Sequence, residues 1–185
     1  MYNGGMTTTL SEPQVHATTL TALGWVATAA SAAGVTAVTL PQLDEQSALA
    51  MVERSAGSSQ RDTAGQLDSL LDRLRRYYAS EDVALDDVLD MRRGTPFQQR
   101  VWQAARRVPR GTTTTYGELA RAVGAGPASA RAVGRCMALN PWPPLVPCHR
   151  VLGKDGHLTG FAGGLAVKQQ MLEMEGALLS LSGTD

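Results

Sequence analysis

The fold of the second half of the chain is decided by residues 95–139, which read TPFQQRVWQAARRVPRGTTTTYGELARAVGAGPASARAVGRCMAL. Residues 95–98 combine a threonine suited to an N-cap, a proline at the first helical position and a glutamine that can bond back to the cap. Residues 115–118 form a second capping box of the same kind. We therefore predict helices over 95–109, 115–124 and 128–139, the last two joined by a glycine-containing turn as in a helix-turn-helix.

The first half of the chain predicts a small sheet and one helix. Runs rich in Thr, Val, Leu and Ala, separated by turn residues, predict strands over 18–23, 24–30 and 34–40. Apolar side chains recur at helical spacing over 64–78, and 83–89 is interpreted as a short strand. We place a frayed start before the first strand, a final helix at 167–175, and a domain boundary near Arg92 that separates residues 1–91 from residues 92–185.

Composition excludes several classes of protein. The chain has 185 residues, of which 43% are hydrophobic and 18% charged, so it can bury a normal core. Its apolar runs are too short to span a bilayer, and its N-terminus does not resemble a secretory signal. Two cysteines are too few to stabilise a chain of this size through disulfide bonds. We expect a cytoplasmic monomer with no membrane partner, no cofactor and no metal site.

Charge is divided unevenly along the chain although the formal net charge is +0. Residues 1–91 hold five basic and twelve acidic side chains, whereas residues 92–185 hold twelve basic and five acidic ones. A polyanion such as DNA would meet a basic second half. The same asymmetry is also compatible with a solvated surface that has no partner.

A candidate nucleophile lies in the run Pro147-Cys148-His149-Arg150. Cysteine attacks carbon only as the thiolate, and a neighbouring histidine or positive charge favours that form. The prolines that precede Cys148 would hold its sulfur in place. Taken alone, such a pair is more often a buried small cysteine beside a structural histidine than a catalytic pair.

The wider string Asn140-Pro141-Trp142-Pro143-Pro144-Leu145-Val146-Pro147-Cys148-His149-Arg150-Val151 resembles the active-site signature of the O6-alkylguanine-DNA alkyltransferases, the methylated-DNA–protein-cysteine methyltransferases. The resemblance extends over about residues 93–176 and includes the motifs at 94–102, 115–119, 130–134 and 163–164. It implies an α+β protein, with a small ribonuclease-H-like sheet-plus-helix domain and a mostly helical, winged-helix-like domain. Residues 1–90 match only in outline.

The resemblance also implies a role for each matching residue. Cys148 falls on the alkyl-accepting cysteine, which keeps the alkyl group of O6-alkylguanine, and of O4-alkylthymine in some cases, as a thioether. His149 falls on the histidine that takes the thiol proton through a water, and Glu175 on the carboxylate that orients this histidine. Asn140 matches the asparagine that braces the turn, and Tyr116 the tyrosine that donates to guanine N3.

For DNA, the resemblance implies binding of the duplex through the minor groove and extrusion of the damaged base. Arg131 matches the arginine that fills the gap left in the stack. Ala130 and Gly134 allow a close approach of the helix, and Arg135 is a candidate phosphate contact. Val151, Phe161 and Ala162 are expected to wall the base pocket, where Phe161 and Ala162 replace two hydroxyl-bearing residues of many relatives.

Two other functions stay open from the sequence. A sensor that binds alkylated DNA without repairing it would lack the cysteine, whereas Cys148 is present. A helix-turn-helix regulator would need further modules, and the two Cys and three His show no clustered metal-ligand spacing.

Overall fold

The structure is a computed structural model that describes residues 13–178. Its first half contains a sheet of order β3-β2-β1-β4, formed by β1 (Val15–Thr21), β2 (Gly24–Ser31), β3 (Gly34–Val38) and β4 (Gln60–Arg61). The first three strands are an antiparallel meander, and β4 pairs parallel to β1. The three predicted strands are confirmed, including the Ala-rich β2. The predicted frayed start lies within residues 1–12, outside the described residues.

Two helices follow the meander, α1 (Glu45–Ala56) and α2 (Asp68–Tyr78). The sequence did not predict α1, whose buried side chains are small and pack with the alanines of β2. The helix predicted over 64–78 starts four residues later than expected. The Asp62 carboxylate accepts bonds from the backbone N–H groups of Ala64 and Leu67, which holds this stretch as a turn before α2.

The strand predicted over 83–89 is wrong. This segment makes an isolated bridge at Leu89, which pairs with Val35. Upstream of that bridge, the Arg106 guanidinium donates to the carbonyls of Leu85, at 3.4 Å, and Asp87, at 3.0 Å. A side chain therefore satisfies carbonyls that a partner strand would otherwise have paired.

The second half is mainly helical, with α3 (Pro96–Arg106), α4 (Tyr116–Ala122), α5 (Ala130–Ala138) and α6 (Gly164–Met174). Both predicted capping boxes are present, at Thr95 with Gln98 and at Thr115 with Glu118. A 3₁₀ turn at Pro127–Ser129 lies between α4 and α5, and the short strands β5 (Thr114–Thr115) and β6 (Val151–Leu152) pair in parallel. The described residues thus form a mixed α+β fold.

The larger of two hydrophobic clusters among the described residues contains side chains of both halves and positions the site between them. The rings of Trp102 and Trp142 meet edge to face with their centroids 5.1 Å apart. Trp142 Nε1 donates to the carbonyl of Val35 at 2.8 Å, which ties the proline-rich segment to β3. The division at residue 91 and the ribonuclease-H-like and winged-helix-like descriptions stay predictions. Within residues 13–178, no helix is long and apolar enough to cross a membrane.

Candidate active site

Cys148 begins a 3₁₀ turn, Cys148–Arg150, directly after the proline-rich segment. Its side chain is 8% exposed, and it lines a cavity of about 530 Å³. A cavity of this size is typical of small-molecule sites, which span roughly 300–1,000 Å³. The thiol is therefore buried and still reachable by a ligand that fills the cavity, which is not the environment of a packed structural cysteine.

The cavity draws its walls from both halves of the chain. Leu40, at the end of the meander, faces residues of the C-terminal half, which are Tyr116, Gly134, Met137, Ala138, Asn140, Pro143, Cys148 and 159–162. Phe161 and Ala162 line the cavity as expected. Val151 is not among the described residues that line it, because it is fully buried in β6.

Asn140 braces the turn that carries the thiol. Its amide nitrogen donates to the carbonyl of Val146 at 2.8 Å and to the sulfur of Cys148 at 3.2 Å. Its amide oxygen accepts from the backbone N–H of Trp142 at 3.0 Å. One side chain thus fixes the start and end of the proline-rich segment and supplies a hydrogen bond to the sulfur.

His149 and Glu175 form a buried pair behind the thiol. His149 Nε2 lies 3.0 Å from Glu175 Oε1, and both side chains are fully buried. With Nε2 protonated toward the carboxylate, Nδ1 is the imidazole nitrogen whose lone pair is free to accept a proton. Nδ1 has no hydrogen-bond partner among the described residues, so it is available to a water or a thiol.

Glu175 accepts hydrogen bonds from other residues as well as from His149. Arg150 donates from Nε to Oε2 and from a terminal nitrogen to Oε1, each at 2.8 Å. The Tyr77 hydroxyl donates to Oε1 at 2.6 Å. Charge-assisted, bidentate bonds of this kind fix the plane of a carboxylate. The orientation of the imidazole is therefore set by a carboxylate that is itself held from two sides.

The ionisation of these groups follows from their surroundings. Burial raises the pKa of the Cys148 thiol, although the Asn140 amide and the Lys168 charge oppose the increase. Burial lowers the pKa of His149, against the influence of Glu175. For Glu175, burial would raise the pKa, but the bonds from His149 and Arg150 outweigh it and hold the pKa well below its usual range. At neutral pH the site therefore holds a protonated thiol, a neutral imidazole that can accept its proton, and a carboxylate.

Lys168 and Tyr116 complete the surroundings of the thiol. Lys168 is fully buried and donates to the carbonyls of Val151 at 2.6 Å and Thr159 at 3.0 Å. The Tyr116 hydroxyl is protonated at neutral pH, as in any tyrosine, and burial raises its pKa further, so it can act as a donor on the cavity wall. Positive charge near a sulfur, here that of Lys168, favours the development of thiolate.

A second, open cleft of about 650 Å³ adjoins the thiol cavity and shares Tyr116 and Gly134 with it. Ala130 and Arg131 of α5 line this cleft, as do Arg121 of α4 and Lys154, together with Thr115, Gly117 and Glu118. Arg131 is exposed. Arg135 is also exposed on α5 but is not among the described residues that line the cleft.

Three residues at the site were not predicted from the sequence. Tyr77 contributes to the apolar stripe of α2, yet a buried tyrosine needs a partner for its hydroxyl, and that requirement was the available signal. Lys168 lies on the apolar side of α6, where a charged residue has to find acceptors. Leu40 had no signal, because its position on the cavity follows from how the halves pack.

The chain is similar to several known proteins. Residues 96–177 match the family model of the 6-O-methylguanine DNA methyltransferase DNA-binding domain. Over 111 residues the chain is 48% identical to the methylated-DNA–protein-cysteine methyltransferase of Mycobacterium tuberculosis H37Rv, and over 110 residues 46% identical to that of Salmonella typhimurium LT2. These matches cover 60% of the chain and 66% and 64% of the relatives, so the chain spans just under two thirds of their length.

Solved structures extend the match over most of the chain. The crystal structure of Mycobacterium tuberculosis O6-methylguanine methyltransferase is 37% identical, with a TM-score of 0.71, and the match covers 89% of this chain and 93% of that one. The structure of Mycobacterium tuberculosis OGT in complex with DNA is 36% identical, with a TM-score of 0.73, over 88% of this chain and 93% of that one. The chain belongs to the methylated-DNA–protein-cysteine methyltransferase family.

Proposed function

We propose that the protein repairs DNA by moving the alkyl group of O6-alkylguanine onto Cys148, once per protein molecule. The observation that carries this proposal is a buried thiol on the wall of a ligand-sized cavity, directly followed by a histidine that is paired with a buried carboxylate. The family membership and the relative crystallised with DNA support the same conclusion.

The proposed reaction balances without a cofactor. His149 draws the proton from Cys148, through a water at Nδ1, while Glu175 stabilises the imidazolium. The thiolate sulfur attacks the alkyl carbon, the carbon–O6 bond breaks, and its electron pair passes to the guanine ring. The purine then takes up the proton and is restored as guanine. The thioether that remains has no good leaving group for water, so the protein acts as a stoichiometric reagent.

Tyr116 is suited to stabilise the leaving purine. Negative charge develops in the ring as the carbon–O6 bond breaks, and a hydroxyl donor at N3 interacts more strongly with that charge than with the neutral base. A tyrosine hydroxyl is protonated at neutral pH, and burial raises the pKa of Tyr116 further above its usual value. O4-alkylthymine, a smaller base, is proposed as a second substrate of the same cavity.

The cleft beside the cavity supports a role in holding the DNA. Arg121, Arg131 and Lys154 bring three positive charges to it against the one carboxylate of Glu118, and the small Ala130 and Gly134 leave room for close approach of a backbone. We propose that α5 enters the minor groove, that Arg131 occupies the gap left by the extruded base, and that Arg135 contacts phosphate. We further propose that the protein acts as a cytoplasmic monomer.

The test is incubation with duplex DNA that carries labelled O6-methylguanine. Wild-type protein should take up one label per molecule, and Cys148→Ala should take up none. Cys136→Ala is the matched control, since Cys136 is also buried but does not line the cavity, and it should be labelled like wild type. Methyl removal by Cys148→Ala would overturn the assignment of the nucleophile. Tight binding of lesion DNA by wild-type protein without labelling would favour the sensor.

A second experiment separates DNA binding from chemistry. Arg131→Ala should slow the reaction with duplex DNA far more than the reaction with free O6-benzylguanine, which needs no extrusion. Arg54→Ala, at an exposed arginine of α1 outside the cleft, should change neither rate. Equal losses on both substrates for Arg131→Ala would show that this arginine does not act on the DNA stack.

A further inference from the structure

The His149–Glu175 pair is completed by a residue of the other half of the chain. Tyr77 lies in the last turn of α2, 98 positions before Glu175, and is 1% exposed. Its hydroxyl donates to Glu175 Oε1 at 2.6 Å and lies 3.4 Å from His149 Nε2. The hydroxyl therefore sits at the point where the imidazole and the carboxylate meet.

Glu175 Oε1 is shared by three donors, which are Tyr77, His149 and Arg150. The bond from Tyr77 is the shortest of the three, at 2.6 Å against 2.8 and 3.0 Å. A donor to a carboxylate oxygen withdraws charge from it and so weakens its hold on other donors. Tyr77 thus influences both where Oε1 lies and how strongly it attracts the proton on His149.

The ring of Tyr77 is fixed in this position. It packs edge to face against Tyr78, with ring centroids 5.0 Å apart, and the Arg110 guanidinium lies 5.5 Å from its centroid. Burial and the Glu175 charge raise the pKa of Tyr77 well above its usual value, so the hydroxyl remains a donor throughout the neutral range.

We propose that Tyr77 is a positioning residue for the His149–Glu175 pair, through which the N-terminal half of the chain tunes the base that activates Cys148. The expected effect of Tyr77 on the rate of alkyl transfer rests on the proposed function. The effect of Tyr77 on the pKa of His149 can be measured whether or not the protein transfers alkyl groups. The charged and titratable groups that bear on His149 are Glu175, Arg150 and Lys168, and Cys148 is its neighbour in the chain. Of the tyrosines, Tyr77 is the one whose hydroxyl bonds to this pair among the described residues.

Without the Tyr77 hydroxyl, Glu175 loses one donor and attracts the imidazolium of His149 more strongly, so the pKa of His149 rises. His149 accepts a proton only when it is neutral, so the decline of the transfer rate toward acid pH should move to higher pH. We expect a shift of about half a unit to one unit, because the lost bond acts on His149 through one intervening group.

The test is Tyr77→Phe, with Tyr78→Phe as the matched control. Tyr78 is equally buried, but its hydroxyl has no hydrogen-bond partner among the described residues. The titration of His149 can be followed by NMR on histidine-labelled protein, since the chain has three histidines. A higher pKa of His149 in Tyr77→Phe, unchanged in Tyr78→Phe, is the expected result. An unchanged His149, or the same shift in both variants, overturns the proposal.

An isosteric replacement keeps the test decisive if Tyr77→Phe does not fold. A 3-fluorotyrosine at position 77 retains the hydroxyl and makes it a stronger donor, so the pKa of His149 should move down instead of up. The absence of any movement again overturns the proposal. Methyl uptake from O6-methylguanine DNA is measured in parallel. A wild-type protein that takes up no methyl group contradicts the proposed function, while the coupling between Tyr77 and His149 is still decided by the NMR titration.

Discussion

Replacing Glu175 by glutamine removes one buried negative charge and almost no volume. The carboxylate is fully buried and holds the Arg150 guanidinium by two bonds of 2.8 Å, with the Arg150 side chain only 11% exposed. Breaking a buried ion pair on one side costs about 3–5 kcal/mol, because the remaining charge stays buried without its partner. The amide oxygen of glutamine keeps some of the bonds, so we expect the lower end of that range, about 3 kcal/mol. With a urea dependence of about 2 kcal/mol per M, the unfolding midpoint should fall by roughly 1.5 M.

The same variant should show a defined dependence on pH. The pKa of Glu175 in the folded protein is well below its usual value, so its stabilisation is complete above the unfolded pKa and is lost as pH falls toward the folded one. The difference between wild type and Glu175→Gln should be full at neutral pH and shrink below about pH 4, near the unfolded value. Glu173→Gln is the control, since Glu173 bonds to Gln169 on the exposed face of α6 and should change stability by under about 0.5 kcal/mol. Equal urea midpoints for wild type and Glu175→Gln at neutral pH would refute this reasoning.

Three further substitutions have expected outcomes. Asn140→Ala removes the amide donor to the sulfur of Cys148, so the thiol pKa should rise, measured by the pH dependence of its alkylation, and unfolding should need about 1–3 kcal/mol less. Lys168→Met leaves two carbonyls without their donor, so the free energy of unfolding from a urea titration should fall by about 1–3 kcal/mol. An unchanged free energy of unfolding would show that the buried amine is dispensable. Gly94→Ala places a Cβ 2.4 Å from the Trp102 ring and should lower the free energy of unfolding by about 1–3 kcal/mol. Gly160→Ala is the control, because a Cβ there has nothing within 4 Å and should leave stability unchanged. Similar melting temperatures for the two variants would contradict the packing around Gly94.

Local signals in the sequence were sufficient to predict most of the helices in the second half of the chain. The capping boxes at 95–98 and 115–118 predicted helix starts that the structure has, because caps are decided by neighbouring residues alone. The final helix was predicted over 167–175 and instead spans Gly164–Met174, starting within the glycine pair at 163–164. Helix ends without a capping side chain are harder to place, and none caps this start.

Signals that depend on packing were missed or misinterpreted. Helix α1 buries only small side chains against the alanines of β2, so it has no apolar stripe of large residues to reveal it. Residues 83–89 have a strand-like composition, but the Arg106 side chain donates to the carbonyls of Leu85 and Asp87. The hydrogen-bond partners that the fold offers to this segment, and not its composition, determine its conformation.

The predicted residues of the site lie in the C-terminal half of the chain, whereas those contributed by the N-terminal half were missed. Asn140, Cys148 and His149 lie within one motif, and the structure brings Asn140 to the sulfur and Glu175 to His149. Tyr77 was missed because it comes from the other half of the chain. Val151 was expected on the cavity wall, but pairing between β5 and β6 turns it into the core.

The central claim is that Cys148 accepts one alkyl group and keeps it. The most direct measurement is the intact mass of the protein after incubation with an excess of O6-methylguanine duplex DNA, followed by peptide mapping. The account predicts that every active molecule gains one methyl group, carried on the peptide with Cys148, and that a second addition of DNA adds nothing. An unchanged mass, or a methyl group mapped to Cys136 or to any other residue, would contradict it.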